Sequence, residues 1–166
     1  MKGVLKLSKP SVKEYKVSGK VLKDVLNVLN KRKWWGRYQS HESAAYAADA
    51  KAKPKIGTIT VTAKPTIDMP KWSDYANADD REKKSWDAMV KNLRAHEDEH
   101  HKIFKEAAEY FCSELQYDDP MEKKDAVKKF NTFKKDTQKE QDSFDKGKDS
   151  CANIELVYYD DAQPKK

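Results

Sequence analysis

A short run of acidic and histidine residues carries the chemistry of this chain. His96, Glu97 and His100 form an H-E-x-x-H pattern within a segment whose apolar residues recur at helical spacing. Two imidazoles four residues apart on a helix lie on the same side, roughly 6 Å from each other, so both can face one ion. The pattern therefore predicts a zinc site, in which Glu97 takes a proton from an activated water.

The apolar stripe of the same helix supports this interpretation. His96, Glu97 and His100 continue the stripe through its middle, where an unpartnered imidazole would be costly to desolvate. The alternative is a solvated, highly charged helix on which the histidines are incidental. His101 projects about 100° away from His100 and is predicted to lie at the surface. The stripe consists of Trp86, Met89, Val90, Leu93, Ile103, Phe104, Ala107, Phe111 and Leu115.

The elements around this helix indicate an α+β fold. Residues 12–17 and 58–63 are predicted strands, and Ile59, Val61 and Ala63 share one face of the second. Ser18 is the predicted cap of an intervening helix with Val21, Leu22, Val25, Leu26 and Leu29 inward. Pro65 and Pro70 are expected to end the second strand. Residues 31–54 remain open, since the alanine-rich part fits either a helix or a strand.

The motif helix is predicted to begin at an Asn77 cap and to end near Leu115. Asp119 as a cap and Pro120 at the first helical position then start a second helix. A strand over residues 154–159 closes one domain, residues 1–159, and residues 160–166 form a disordered tail. The inward stripe of the second helix would be Ala126, Val127, Phe130, Phe133, Thr137, Glu140 and Phe144.

The two helices should form an antiparallel pair, and this geometry predicts a third zinc ligand. Folding the chain at Asp118 places His100 level with about residue 137 and His96 level with about residue 141, because both helices rise 1.5 Å per residue. Glu140 falls in that window and on the inward stripe, so it is the expected ligand. Asp136, Gln141 and Asp145 are the alternatives.

Composition limits the partners of the protein. The net charge of +6 comes from lysines spread along 166 residues, without the basic and aromatic stripe of a nucleic-acid binder. No apolar run is long enough for a membrane span, and residues 1–20 lack the continuous apolar region of a signal peptide. We expect a monomer without nucleic-acid partners. Cys112 and Cys151 form either one disulfide or two free thiols, and the disulfide is the favoured interpretation.

Several segments together resemble a bacterial family of secreted zinc-dependent proteases within the zincin-like metallopeptidases. The resemblance covers most of the chain and rests on residues 15–19 (YKVSG), residues 69–72 (MPKW), Trp86 and residues 93–100 (LRAHEDEH). It implies His96 and His100 as zinc ligands, Glu97 as general base, and a secreted or periplasmic location. It also implies a zincin-like fold, with a small, mostly antiparallel sheet packed on the motif helix.

The chain departs from this family at several positions. Glu99 stands where the family has a small residue, and Lys148, Ser150 and Cys151 stand where the family has a threonine and a His-Gly pair. Phe144 and Asp145 match the family's Tyr-Asp, which keeps Asp145 open as the third ligand.

The expected function is zinc-dependent hydrolysis of peptide bonds in a peptide or protein substrate. Residues 58–63 could offer a strand edge to an extended substrate, and Tyr38, Tyr46 and His101 are candidates for stabilising the oxyanion. Trp34 and Trp35 could line the substrate groove, although core packing is the more frequent role of such residues. Two alternatives remain: a non-catalytic zinc-stabilised structural or protein-interaction domain, and a charged helical binding module without metal.

Overall fold

The computed structural model describes residues 1–147 and 154–158, and within them the fold is α+β. Two three-stranded sheets accompany three α-helices. The strands are β1 (Lys2–Leu7), β2 (Ser11–Val17), β3 (Arg37–Gln39), β4 (Glu42–Ala48), β5 (Ile56–Ala63) and β6 (Thr66–Trp72), and the helices are α1 (Leu22–Leu29), α2 (Asp80–Glu114) and α3 (Lys123–Lys146).

The sheets share one plan, in which the pairs β1 and β2, β3 and β4, and β5 and β6 each contribute one strand to each sheet. The first sheet has the order β1-β5-β4 and the second the order β2-β6-β3. In each sheet the central strand has one parallel and one antiparallel neighbour. The sheets are therefore mixed, and the expected mostly antiparallel sheet was wrong. The cause is β1 and β2, which run beside β5 and β6 in the same direction.

The predicted strands over residues 12–17 and 58–63 are confirmed. Alternation holds in β5, where Ile59, Val61 and Ala63 are fully buried. The open region contains β3 and β4, so its alanine-rich part is extended as far as Ala48. Pro70 does not end a strand as expected. It lies within β6 at a position that is paired with β2 but not with β3, because β3 pairs with residues 66–68. The missing N–H of Pro70 therefore removes no hydrogen bond to β3.

The helix boundaries differ from expectation at three ends. The cap of α1 is Val21, which has no side-chain cap bond and is largely exposed, so Ser18 was wrong as the cap and Val21 as an inward residue. Helix α2 starts at an Asp79 cap, two residues after the predicted Asn77. Asp79 accepts a hydrogen bond from the backbone N–H of Glu82, and the Glu82 side chain accepts one from the backbone N–H of Asp79, which is a capping box.

The third difference concerns the connection between α2 and α3. Helix α2 ends at Glu114 as expected, and a 3-10 turn follows at Leu115–Tyr117. Met121 then exchanges two backbone hydrogen bonds with Ile56, which holds it extended, and α3 begins at Lys123. The predicted start at Asp119 and Pro120 was therefore wrong.

Two hydrophobic clusters form the core, and α2 contributes to both. The first packs the second sheet, α1 and the N-terminal half of α2, with Trp86, Met89 and Leu93 inward. The second packs the first sheet, α3 and the C-terminal half of α2, with Phe104 and Ala108 inward. The polar motif residues lie between Leu93 and Phe104, where the two clusters meet.

The end of the chain packs against the core. Residues 154–158 form no strand, and instead Leu156 is buried against the first cluster while the Ser85 hydroxyl donates to the Val157 carbonyl. Tyr159 and residues 160–166 lie outside the described residues.

Cys112 has a free, half-buried thiol, and its predicted partner Cys151 also lies outside the described residues. None of the described helices is long and apolar enough to cross a membrane.

Candidate metal centre

The middle of α2 brings two imidazoles to one point, as the H-E-x-x-H spacing predicts. The Nε2 atoms of His96 and His100 lie 3.2 Å apart. Both residues face the core side of the helix, and His100 is buried with 7% of its surface exposed. The pair therefore lies at the expected position on the apolar stripe.

Asp145 of α3 supplies the third group. Its Oδ1 atom lies 2.9 Å from Nε2 of His100 and 3.2 Å from Nε2 of His96. All three ligand atoms lie within 4.8 Å of one another, which makes this cluster a possible metal-binding triad. Two imidazole nitrogens and one carboxylate oxygen are a donor set that zinc accepts.

Aromatic rings hold the two imidazoles in place. The Phe144 ring stacks on His96 with centroids 4.9 Å apart and meets His100 edge-on at 5.1 Å. The Tyr38 ring lies nearly parallel to the His100 ring at 6.4 Å. These ring contacts restrict rotation of the imidazoles, so their Nε2 atoms are positioned before any ligand arrives.

Glu140, the expected third ligand, does not lie at the histidine pair. It is exposed, and it lines a separate groove between α2 and α3 together with Asp136. At 100° per residue, Glu140 and Asp145 flank the buried stripe of α3 on opposite sides, and Asp145 is on the side of the histidines. The later start of α3 also moves the pairing of the helices by roughly one turn. The geometry thus selects Asp145, one of the three alternatives.

Glu97 is buried beside the triad and is held by β3. Only 4% of its surface is exposed, and burial raises the pKa of its carboxyl to about 7. The Tyr38 backbone N–H donates a hydrogen bond to the carboxylate, which opposes that rise, while the negative charges of Asp145, Asp68 and Asp98 add to it. Glu97 can therefore accept and release a proton near neutral pH.

Gly36 makes room for this carboxylate. A Cβ atom at position 36 would lie 2.5 Å from Oε1 of Glu97 and 2.9 Å from Cδ1 of Leu93. The backbone of the segment before β3 thus approaches the Glu97 side chain so closely that a side chain at position 36 would displace it. Sequence reasoning missed this role of Gly36. The only local signal was a glycine directly after two tryptophans.

Burial also affects His100. It lowers the pKa of the imidazole, and the neighbouring His96 acts in the same direction, while Asp145 opposes both. The Nδ1 atom is buried and has no hydrogen-bond partner among the described residues. A lowered pKa favours the neutral imidazole, which is the form that binds metals.

A groove of about 610 Å³ opens over the triad and Glu97. Trp34 and Trp35 line it, which was the less frequent of the two roles considered for them, and so does Tyr38. The Tyr38 hydroxyl lies 3.3 Å from Nδ1 of His101. His101 itself and Tyr46 are not among the lining residues, so of the three oxyanion candidates only Tyr38 is in the groove.

The strand edge proposed for substrate binding was wrong. β5 is the central strand of its sheet, with β1 on one edge and β4 on the other, so residues 58–63 have no free edge. Within the part of the chain that the structure describes, the edge strand at the groove is β3, which pairs with β6 on one side only. Arg37 and Tyr38 of β3 line the groove, and these residues fell within the open region of the sequence.

Comparison with known proteins identifies the family of the chain but assigns it no activity. No curated protein and no solved structure matches the chain. One family model matches residues 12–150, which include every motif residue named above and most of the chain. Its description names bacteria and assigns no activity, so the zinc-protease interpretation stays a prediction. The chain belongs to the family described as "Bacterial protein of unknown function (DUF922)".

Proposed function

We propose that this protein is a zinc-dependent metallopeptidase that hydrolyses peptide bonds, with Glu97 as the general base. The observation that carries the proposal is the convergence of His96, His100 and Asp145 beside a buried glutamate at one groove. A structural metal alone would not require a carboxyl group whose pKa lies near 7 next to the ligands.

The donor set fits zinc in a catalytic role. Two histidines and one carboxylate make three protein ligands, and catalytic zinc sites keep a fourth position open. Asp145 is half exposed and the triad faces the groove, so the site is accessible from solvent. A closed site with four protein ligands, expected of the structural alternative, is not what the described residues form.

Zinc, when bound, would polarise a peptide carbonyl and favour deprotonation of water. Glu97 accepts the proton of the attacking water and returns it to the leaving amine. A pKa of about 7 suits both steps, since the carboxyl is then close to half protonated at neutral pH. The Tyr38 N–H orients the carboxylate, and the close backbone at Gly36 prevents it from moving aside.

The open edge of β3 is the proposed binding place for an extended peptide. β3 pairs with β6 along one edge, and at its other edge the Tyr38 N–H faces Glu97. In an antiparallel edge strand alternate residues direct both backbone groups to the open side. Since the Tyr38 N–H already donates to Glu97, an extended substrate in the groove would pair with β3 through the Tyr38 carbonyl. Strand addition is a common mode of peptide binding.

The test combines metal analysis with hydrolysis. Purified protein should contain close to one zinc per chain, and His96→Ala or His100→Ala should lose it, because each removes one of three ligands. Glu97→Gln should keep the zinc and reduce cleavage of a broad peptide library by orders of magnitude.

The outcomes separate the alternatives. Zinc content that is unchanged in both histidine variants would refute the metal site. Zinc that is lost in those variants, together with equal cleavage by wild type and Glu97→Gln, would leave the site as a non-catalytic one. His101→Ala, which removes a neighbouring histidine outside the triad, is the matched control and should retain zinc.

A further inference from the structure

A second, smaller cavity adjoins the groove over the triad. It has a volume of about 310 Å³, and residues 34–37 line both cavities as a shared wall. Its other lining residues are Tyr15, Arg32, Lys33 and Asp68. A side chain of a bound peptide could therefore reach this cavity from the groove.

Three cations surround this second cavity, and aromatic rings hold all of them. The guanidinium carbon of Arg32 lies 3.7 Å from the centroid of the Tyr15 ring. Lys33 Nζ and the guanidinium carbon of Arg37 lie 4.3 Å and 4.7 Å from the centroid of the Trp34 ring. Contacts of this kind orient a cation without neutralising its charge.

The charges of these cations are not balanced by ion pairs. None of the three forms a salt bridge with a carboxylate of the described residues. Among the described residues, Asp68 is the one acidic residue that lines the cavity, and although its backbone pairs with that of Arg37, the two side chains form no salt bridge. The cavity thus has an excess of positive charge.

The shared wall is fixed to the body of the second sheet. The Tyr15 hydroxyl of β2 donates to the Trp35 carbonyl, and Gly36 packs against Glu97 and Leu93. Trp34 keeps 47% of its surface exposed between its two cations. Binding to cations that are already positioned requires little additional ordering of side chains, which favours affinity.

We propose that this cavity is a subsite for an acidic side chain of the substrate, so that the enzyme prefers peptides with a glutamate or aspartate close to the cleaved bond. The inference rests on the proposed peptidase function, because a substrate subsite requires a peptide substrate. Arginine guanidinium groups bind carboxylates through paired hydrogen bonds, and Lys33 adds a third positive charge.

Binding of two capped octapeptides of alanine and leucine, which differ only in carrying one central glutamate or one glutamine, tests the proposal. The measurement uses the zinc-loaded Glu97→Gln protein, so that no cleavage interferes, and follows the intrinsic tryptophan fluorescence, to which the exposed Trp34 contributes. The glutamate peptide should bind about tenfold more tightly. The triple variant Arg32→Gln, Lys33→Gln, Arg37→Gln should abolish this difference.

A matched triple variant of exposed lysines on α3, Lys123→Gln, Lys124→Gln and Lys135→Gln, removes the same charge elsewhere and should keep the difference. Equal binding of the two peptides, or equal losses in both triple variants, would overturn the subsite. A single-stranded oligonucleotide that binds more tightly than the glutamate peptide, and only with Arg32, Lys33 and Arg37 present, would overturn it as well.

Failure of the peptidase proposal is a separate result. Wild-type protein that cleaves nothing, while Glu97→Gln still distinguishes the two peptides at this cavity, would refute hydrolysis and support an acidic-peptide binding site. If hydrolysis does occur, the products from a random library should show acidic residues at one position near the cleaved bond, and the Arg32, Lys33, Arg37 variant should lose that preference.

Discussion

Replacement of Glu97 by glutamine should make the metal-free protein more stable while it removes activity. The carboxyl is 4% exposed, and its pKa is raised from 4.5 to about 7, mainly by burial. The folded state therefore holds the proton more tightly than the unfolded state. This contribution stabilises the protein below about pH 4.5 and is lost progressively as the pH rises towards 7.

The magnitude follows from the size of the shift. One pKa unit corresponds to about 1.4 kcal/mol, so ionised Glu97 destabilises the folded protein by about 3 kcal/mol above pH 7. Glutamine stays uncharged and can still accept the Tyr38 N–H. Glu97→Gln should match wild type at pH 4 and exceed it by up to about 3 kcal/mol at pH 8, or roughly 6 to 12 °C in Tm for a protein of this size.

The assay is chemical denaturation between pH 4 and pH 8 with EDTA present, so that no metal ion contributes. Glu109→Gln, a change of the same kind at an exposed position of α2, is the control and should show no comparable pH-dependent gain. A difference between Glu97→Gln and wild type that does not change with pH would refute the argument. In that case Glu97 would be ionised at little penalty, and its role as a base near neutral pH would lose its physical support.

Three further predictions follow from the site and the core. Asp145→Ala should weaken zinc binding at least tenfold and Glu140→Ala should leave it unchanged, as measured by competition with a chelator, because Asp145 is within ligand distance of the histidines and Glu140 lines the other groove. Gly36→Ala should retain zinc but reduce peptide hydrolysis more than tenfold, because the new Cβ displaces the Glu97 carboxylate; unchanged cleavage would show that the close approach is irrelevant. Phe133→Ala should lower the free energy of unfolding by about 3 to 5 kcal/mol in denaturant titration, since the ring is buried against three other phenylalanines, and a loss below about 1 kcal/mol would contradict the packing.

The elements that were predictable from sequence are those whose apolar residues recur with a strong periodicity. β5 alternates strictly, and the stripe of α2 recurs at helical spacing through 35 residues, so both were identified with the correct buried faces. β4 could not be identified in this way. Its alanines favour helix, and the segment is extended because it pairs with β5 along its length, which is a tertiary effect.

Two helix starts were placed wrongly for different reasons: the sequence contained a signal for the first and none for the second. Asp79 and Asn77 are both good helix caps, but only Asp79 has a glutamate three residues later, and the capping box decides the boundary. Asp119 and Pro120 likewise resemble a helix start. Here the strand-like bridge between Met121 and Ile56 overrides them, and no local pattern reveals a contact between residues so far apart in the chain.

The choice between Glu140 and Asp145 depended on that same bridge. A count along two ideal helices led to α3 and to the region in which Asp145 lies. Which carboxylate faces the histidines depends on rotation about the helix axis, where five residues change the direction by about 140°. Only a carboxylate on the flank that faces α2 at His96 and His100 can join them, and the start of α3 at Lys123 sets which flank that is. The two backbone hydrogen bonds between Met121 and Ile56 of β5 therefore connect the first sheet to the candidate metal centre. Any change that frees this connection should alter the site through the register of α3, while the two histidines keep their positions on α2.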